Sequence, residues 1–182
     1  GKNDKSFNEA VFVGITKFMN DTGIAVTELE PTNEAMMEQS LKKLAQRGYS
    51  PIVAVGFTMA NGVQAAAEEY PDTQFTLIDM VVGLPNVQNV IYKEHEGSFL
   101  VGVLAAMNSK SGTVGFVGGM DIPLISRFEC GYKQGVKWQD SSIKVLANMT
   151  GSTPAAWGNP SKGGELTRSQ VEAGADVVYA AA

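Results

Sequence analysis

Between residue 7 and residue 181 the chain alternates two hydrophobic periods, and that alternation limits the folds open to it. Apolar residues at three- and four-residue steps predict a helix over 7–19, with Phe7, Ala10, Val11, Ile15, Phe18 and Met19 on one face and Asp21-Thr22-Gly23 as the stop. The same period predicts a helix through Arg47 capped by Thr32 or Asn33 and closed by Gly48, and further helices over 59–69, 97–107, 123–138 and 160–173. Short apolar runs predict strands over 24–29, 52–55, 74–78, 87–92, 113–117, 143–148 and 176–181. Strand and helix in alternation argue for βαβ units, right-handed crossovers and a parallel sheet covered on both faces. The fold class is therefore α/β.

A chain of 182 residues holds either one large domain or two small halves. The segment from Met80 to Tyr92 carries Gly83, Pro85, Asn86 and Asn89, and then a strand with no crossover helix before it, which reads as a connection between lobes. The expected division is a first lobe over 1–93 and a second over 94–182. Apolar residues at 44% and charged residues at 18% fit a packed globular chain and exclude disorder. Cys130 and His95 are the only residues of their kinds, so an internal disulfide is impossible and a Cys/His zinc site lacks ligands. The net charge is −5, and lysines and arginines are scattered, so there is no footprint for a phosphate backbone and nucleic acid is not an expected partner. The longest apolar stretch, around Phe99 to Met107, is far short of the ~20 residues that span a bilayer.

In parallel sheets ligands sit beyond the carboxyl ends of strands, which singles out four segments. In the first, Asp4 or Ser6 caps the opening helix and Phe7 stands at its mouth, either as a core phenylalanine or as a stacking plate for a flat ligand. The second runs from Gly56 to Asn61, where glycine admits close backbone approach, although a plain strand-to-helix turn explains it equally well. The third is Asp79, either a hydroxyl ligand or a loop cap. The fourth, Gly118-Gly119-Met120-Asp121-Ile122-Pro123, presents a carboxylate with few steric neighbours, suited to accepting hydrogen bonds from vicinal sugar hydroxyls. Catalytic constellations are poor. His95, flanked by Glu94 and Glu96, is a solvated or hinge histidine rather than a base, Cys130 is expected as a small core residue, and no dinucleotide or Walker fingerprint is present. No enzyme, cofactor or metal is expected.

Taken together, Asp4-Lys5-Ser6-Phe7-Asn8, Tyr70-Pro71-Asp72-Thr73-Gln74-Phe75, Tyr92-Lys93-Glu94-His95-Glu96-Gly97-Ser98-Phe99-Leu100, Gly115-Phe116-Val117-Gly118-Gly119-Met120-Asp121 and Ala156-Trp157-Gly158-Asn159-Pro160 form an ordered set. Over nearly the whole chain the sequence resembles the basic membrane protein family, nucleoside-binding lipoproteins that serve bacterial ABC importers. The resemblance implies a two-lobed type I periplasmic-binding fold, a purine nucleoside clamped between the lobes, and no turnover. By the same resemblance Phe7 matches the aromatic that stacks on the base and Asp121 a carboxylate that binds ribose. Asn3, Asp4, Ser6 and Asn8 would line the same edge, with Gly56 and Phe57 at the floor. A permease would be the protein partner, and an upstream lipid anchor would hold the chain in the periplasm or at the cell surface.

Two departures from the family pattern carry expectations of their own. The family begins with a strand ending in a ligand-touching aspartate and continues past the strand ending at Ala182, so both termini look cut. If the missing strand is central, its absence leaves buried edges where each unsatisfied backbone group costs roughly 1–3 kcal/mol, and the segment alone would be unstable. A nucleobase, a sugar or a ligand-sensing regulatory role on the same fold are the alternatives to nucleoside capture.

Overall fold

The computed structural model describes residues 2, 4, 6–31 and 33–182, with only the backbone at 34, and divides into two compact units that meet in sequence at Tyr92 and Lys93. The first unit carries helices α1 (Phe7–Thr22) and α2 (Glu34–Gln46), strand β1 (Ile52–Val55), a 3-10 turn (Phe57–Met59) leading into α3 (Ala60–Glu69), and strands β2 (Phe75–Ile78) and β3 (Val87–Val90). The strands pair in parallel in the order β1-β2-β3, with Ile52, Phe75 and Val87 in one row.

Helix α2 starts where expected because Asn33 Oδ1 accepts from the amide of Met36 at 2.9 Å. Gly48 just beyond its end has φ +79°, a left-handed conformation that favours glycine. Leu41 and Ala45 of α2 and Val63, Ala66 and Ala67 of α3 close over Ile52, Ala54, Phe75 and Leu77. Gly62 brings α3 within van der Waals reach of the α2 backbone, since a Cβ there would lie 3.2 Å from the Glu38 nitrogen.

Two expectations fail in this unit. Residues 24–29 form no strand, and Ile24, Val26 and Leu29 are exposed. Their apolar alternation suits a strand, but a strand needs a neighbour for its amides and carbonyls, and none of the described strands pairs with it. The sheet is also not covered on both faces: β1 and β2 alternate buried and less buried residues, and Val53 is 52% exposed. Helices α2 and α3 pack together on the inner face, whereas α1 buries no residue fully.

The connection from β2 to β3 is short and helix-free, as its composition predicts, and two asparagines hold it. The Asn86 amide donates to the carbonyls of Ala67, Tyr70 and Thr73 at 3.0–3.2 Å. Asn89 pairs with both backbone groups of Val82, at 2.8 and 3.0 Å. Asn86 thus fastens the connection to the end of α3 and the turn before β2, and Asn89 fixes Val82 within it.

The second unit carries α4 (Glu94–Asn108), β4 (Thr113–Met120), α5 (Pro123–Gln139), β5 (Lys144–Gly151), a 3-10 turn (Pro154–Gly158), α6 (Pro160–Glu172) and β6 (Val177–Ala181). Its parallel order is β5-β4-β6. Strand β4 is buried from Val114 to Gly119 and so meets the expectation of cover on both faces. Its odd residues face α6, where Gly115 meets Gln170; its even residues face α5, where Gly118 meets Ile125.

Helices α4 and α5 touch backbone to backbone. A Cβ at Gly102 would overlap the Tyr132 carbonyl oxygen, one at Gly131 the backbone of His95, and one at Gly135 the Phe99 carbonyl oxygen. Below this contact the rings of Phe116, Tyr132 and Tyr179 cluster with centroids 5.4–6.0 Å apart, and burial pushes the Tyr132 phenol up to about 12. The carboxylate of Glu94, 4% exposed, pairs with Arg127 across the same two helices. Asp176 ties the loop before β4 to the start of β6 by accepting from Ser109 Oγ at 2.7 Å and from the amides of Lys110 and Ser111 at 2.6 and 2.8 Å. These bonds, the serine hydroxyl first, hold its carboxyl down at about 2.

Two outcomes follow for stability. Gly135→Ala should lower it by about 2 kcal/mol or more, several degrees in a thermal melt, because the obstruction is backbone and cannot rotate away. Gly97→Ala, in the same helix pair but with nothing within 4 Å of the added carbon, should be neutral or stabilising. For Asp176 the folded value is depressed, so its contribution is complete above the unfolded value of roughly 4 and is lost as pH falls toward 2. Melting curves of wild type and Asp176→Asn should therefore differ most above about pH 4 and converge near pH 2.

Candidate functional site

In the first unit, β1 and β2 stop side by side and both chains turn through left-handed backbone. Gly56 has φ +95° and its amide donates to the Ile78 carbonyl at 3.1 Å; Asp79 has φ +70° and donates to the Val90 carbonyl at 2.9 Å. Aspartate is among the few residues besides glycine that tolerate that conformation.

Phe7 reaches this edge. Its Cε1 lies 3.8 Å from the position a Cβ would take on Gly56, an ordinary contact distance, so the ring borders this turn, while the glycine itself is required by the φ of +95°. Phe7 and Phe57 are both half-buried, and Phe57 opens the 3-10 turn directly after Gly56. The structure thus brings Phe7, Gly56 and Phe57 into one neighbourhood although up to 50 residues separate them in sequence. Ser6 occupies the N-cap position of α1, yet its side chain makes no cap. The cap is Asp4: Oδ1 accepts from the amides of Ser6 and Glu9 at 2.9 and 3.1 Å, and Oδ2 accepts from the amide and the side-chain amide of Asn8 at 3.1 and 2.7 Å. Partial desolvation would raise the Asp4 carboxyl, but these donors together hold it well below the usual carboxylate range. With both oxygens engaged, Asp4 fixes the helix start that carries Phe7. Asn3 lies outside the described residues.

In the second unit the corresponding edge belongs to β4. Asp121 follows the strand, is exposed, and donates its amide to the Gly151 carbonyl at 2.8 Å, so the ladder runs one residue beyond the strand. Among the described residues no hydrogen bond engages its carboxylate, and α5 begins at Pro123 without a side-chain cap. Sequence reasoning did not place Trp157 here. The edge of its ring abuts Gly119, where a Cβ would stand 2.5 Å from Cζ3, and Thr150 Oγ1 sits 3.0 Å from the carbonyls of both Gly119 and Ala156. The available signal was the tryptophan between two short turns together with the paired glycines 118 and 119, neither of which is needed for a plain strand.

Other groups fall elsewhere. Cys130, expected in the core, is exposed because it sits on the side of α5 away from the Tyr132 and Val136 face. It borders an open apolar groove of about 410 Å³ that His95, Phe99 and Leu100 of α4 also line. The groove offers little to orient a polar ligand. Among the described residues no group of three or more His, Cys, Asp or Glu could hold a metal ion, and no helix is long and apolar enough to cross a membrane.

Known proteins resemble the chain throughout. The family described as ABC transporter substrate-binding protein PnrA-like matches residues 1–182. The ABC transporter nucleoside-binding protein BmpA of Lactococcus lactis is 30% identical over 98% of this chain and 51% of its own length. Basic membrane protein A of Borreliella burgdorferi is 30% identical over 82% of the chain and 45% of its own length, and an uncharacterised lipoprotein of Pyrococcus abyssi 31% identical over 98% and 46%. A solute-binding protein of an ABC transporter system from Aeropyrum pernix matches with a TM-score of 0.82 at 27% identity, over 100% of this chain and 52% of its own. A transcriptional activator of the comK gene from Bacillus halodurans, at 20% identity and a TM-score of 0.77, shares the fold alone. The fold is of the type I periplasmic-binding kind, and the chain spans about half the length of the curated relatives it matches.

Asp4 can be tested without any ligand. Asp4→Ala should speed hydrogen exchange at the amides of Ser6, Asn8 and Glu9 and lower stability by about 1 kcal/mol, as loss of a helix cap does; unchanged exchange would show that α1 starts without it.

Proposed function

The chain belongs to the PnrA-like substrate-binding proteins of ABC transporters, and we propose that within that family it captures a purine nucleoside. The observation that carries the reading is the Phe7 ring, set by a firmly capped helix start against a glycine at the carboxyl edge of β1. A half-buried aromatic with one neighbour reduced to glycine is a platform for a flat ring, and purine stacking is the chemistry such a platform favours. Ser6 and Asn8 supply polar groups to the rim of the base, and Gly56 with Phe57 the floor. Asp121, exposed and with its carboxylate unengaged, accepts from the ribose hydroxyls.

The nucleoside named in the Lactococcus lactis relative supports this chemistry. The protein binds and releases without turnover. Its one histidine, at the exposed start of α4, has no nucleophile hydrogen-bonded to it among the described residues. By the same reading the partner is an ABC permease, and the protein works outside the cytoplasm under a lipid anchor, a reading supported by the name of the Pyrococcus abyssi lipoprotein.

A thermal-shift screen of the full-length protein with adenosine, guanosine, inosine, cytidine, free bases and ribose tests the reading. A ligand at 100 times its Kd adds about 2.7 kcal/mol, enough to move the melt by several degrees. The expected result is a shift with purine nucleosides that is lost in Phe7→Ala and in Asp121→Ala. A folded protein that responds only to ribose or only to free bases would replace the nucleoside with that ligand, and one that responds to none would end the transport-receptor reading.

A further inference from the structure

Trp157 is held at the carboxyl edge of the second unit more firmly than an ordinary surface aromatic. The edge of its six-membered ring comes so close to β4 that a Cβ at Gly119 would meet Cζ3, Cε3 and Cη2 at 2.5, 2.8 and 3.0 Å. Thr150 shares its single hydroxyl proton between the carbonyls of Gly119 and Ala156, binding the 3-10 turn to the strand on the residue just before the tryptophan. On the other side of the turn Asn159 accepts from the Lys162 amide at 3.0 Å and Pro160 opens α6, so the segment is pinned at both ends. Trp157 is nonetheless 38% exposed, although the residue before it, Ala156, is 7% exposed. The fold therefore buries the anchor of the turn and leaves the indole partly open.

What lies beside it is decided by the strand. Gly119 and Asp121 are two residues apart and so point to the same face of the sheet, the face on which the indole rests. The amide of Asp121 still bonds to Gly151, which keeps that alternation in force at the last position. One side of one strand end thus presents an aromatic plate and an unengaged carboxylate next to each other. A carboxylate accepts from vicinal hydroxyls while a ring covers the apolar C–H face of the same sugar, and together they select a saturated polyhydroxylated ring over a flat base. The contrast is Trp138, at the other end of α5: it is 71% exposed and has Phe99 as a ring neighbour at 6.0 Å.

We propose that Trp157 is a ligand-contacting residue whose indole packs against the ribose ring held by Asp121, making this edge selective for the sugar part of the ligand. The proposal deepens the nucleoside reading and rests on it. It adds a specificity residue in a segment that reading leaves unused.

The test follows the tryptophan emission and the affinity of the full-length protein during titration with adenosine, guanosine and inosine. The expected result is an emission change on binding that survives in Trp138→Phe and disappears in Trp157→Phe, which keeps a ring and most of the affinity. Trp157→Ala should weaken nucleoside binding roughly tenfold, the scale of one lost aromatic contact. An emission change that persists in Trp157→Phe, or a folded Trp157→Ala that binds as wild type does, would overturn the assignment while leaving nucleoside capture intact. If Trp157→Ala does not fold, the Trp157→Phe titration decides alone. Absence of binding to wild type overturns the nucleoside reading, and this inference with it.

Discussion

Parallel pairing is the constraint from which the functional geometry descends. In a parallel ladder every strand of a sheet ends at the same edge, so residues far apart in sequence are delivered to one line without any contact between their own elements. In the first unit the register of Val55 with Ile78 sets Gly56 beside Asp79. In the second, the register of Met120 with Gly151 sets Asp121 against the segment that carries Trp157. Shifting either pairing by one residue would turn these positions to the opposite face. The ladders therefore act as the ruler of the candidate site, and the helices act mainly to keep the sheets dry.

Glycine lets other parts come close, and it does so in two ways. Between α4 and α5 it removes side chains so that the two backbones touch, and the helices cannot slide without a carbonyl meeting a Cα. At Gly119 it removes a side chain so that an aromatic ring can approach a strand end. The first use is structural and tolerates no added atom. The second leaves a ring partly exposed at a strand end.

Polar groups divide in the same way. Asn86, Asn89, Asp4 and Asp176 spend their hydrogen-bonding capacity on the chain's own backbone, where loops and helix starts would otherwise leave amides and carbonyls unmet. Asp121 spends none of its carboxylate that way among the described residues. The distinction matters because an Asp that caps a helix and an Asp whose carboxylate is unengaged look alike in sequence. Only the donors around them differ.

Most of the secondary structure was legible in the residues. The periods of 3.6 and 2 place α1 to α6 and β1 to β6 to within a few residues, and the glycines at 23 and 48 and the cap at Asn33 mark ends that backbone geometry alone requires. The α/β class and the helix-free connection before β3 followed from those local rules, and Phe7 and Asp121 could be singled out because strand ends and helix starts are local too. Three things were decided by tertiary structure. Residues 24–29 have a strand's pattern but no partner strand, because a ladder is a property of two segments. Cys130 points outward because the face of a helix that is buried depends on what packs against it. Trp157 meets Gly119 across 38 residues because the β4–β5 register and the Thr150 bonds put it there. Local sequence sets the conformation a segment prefers, whereas which side chains share a surface is set by long-range pairing that no single segment encodes.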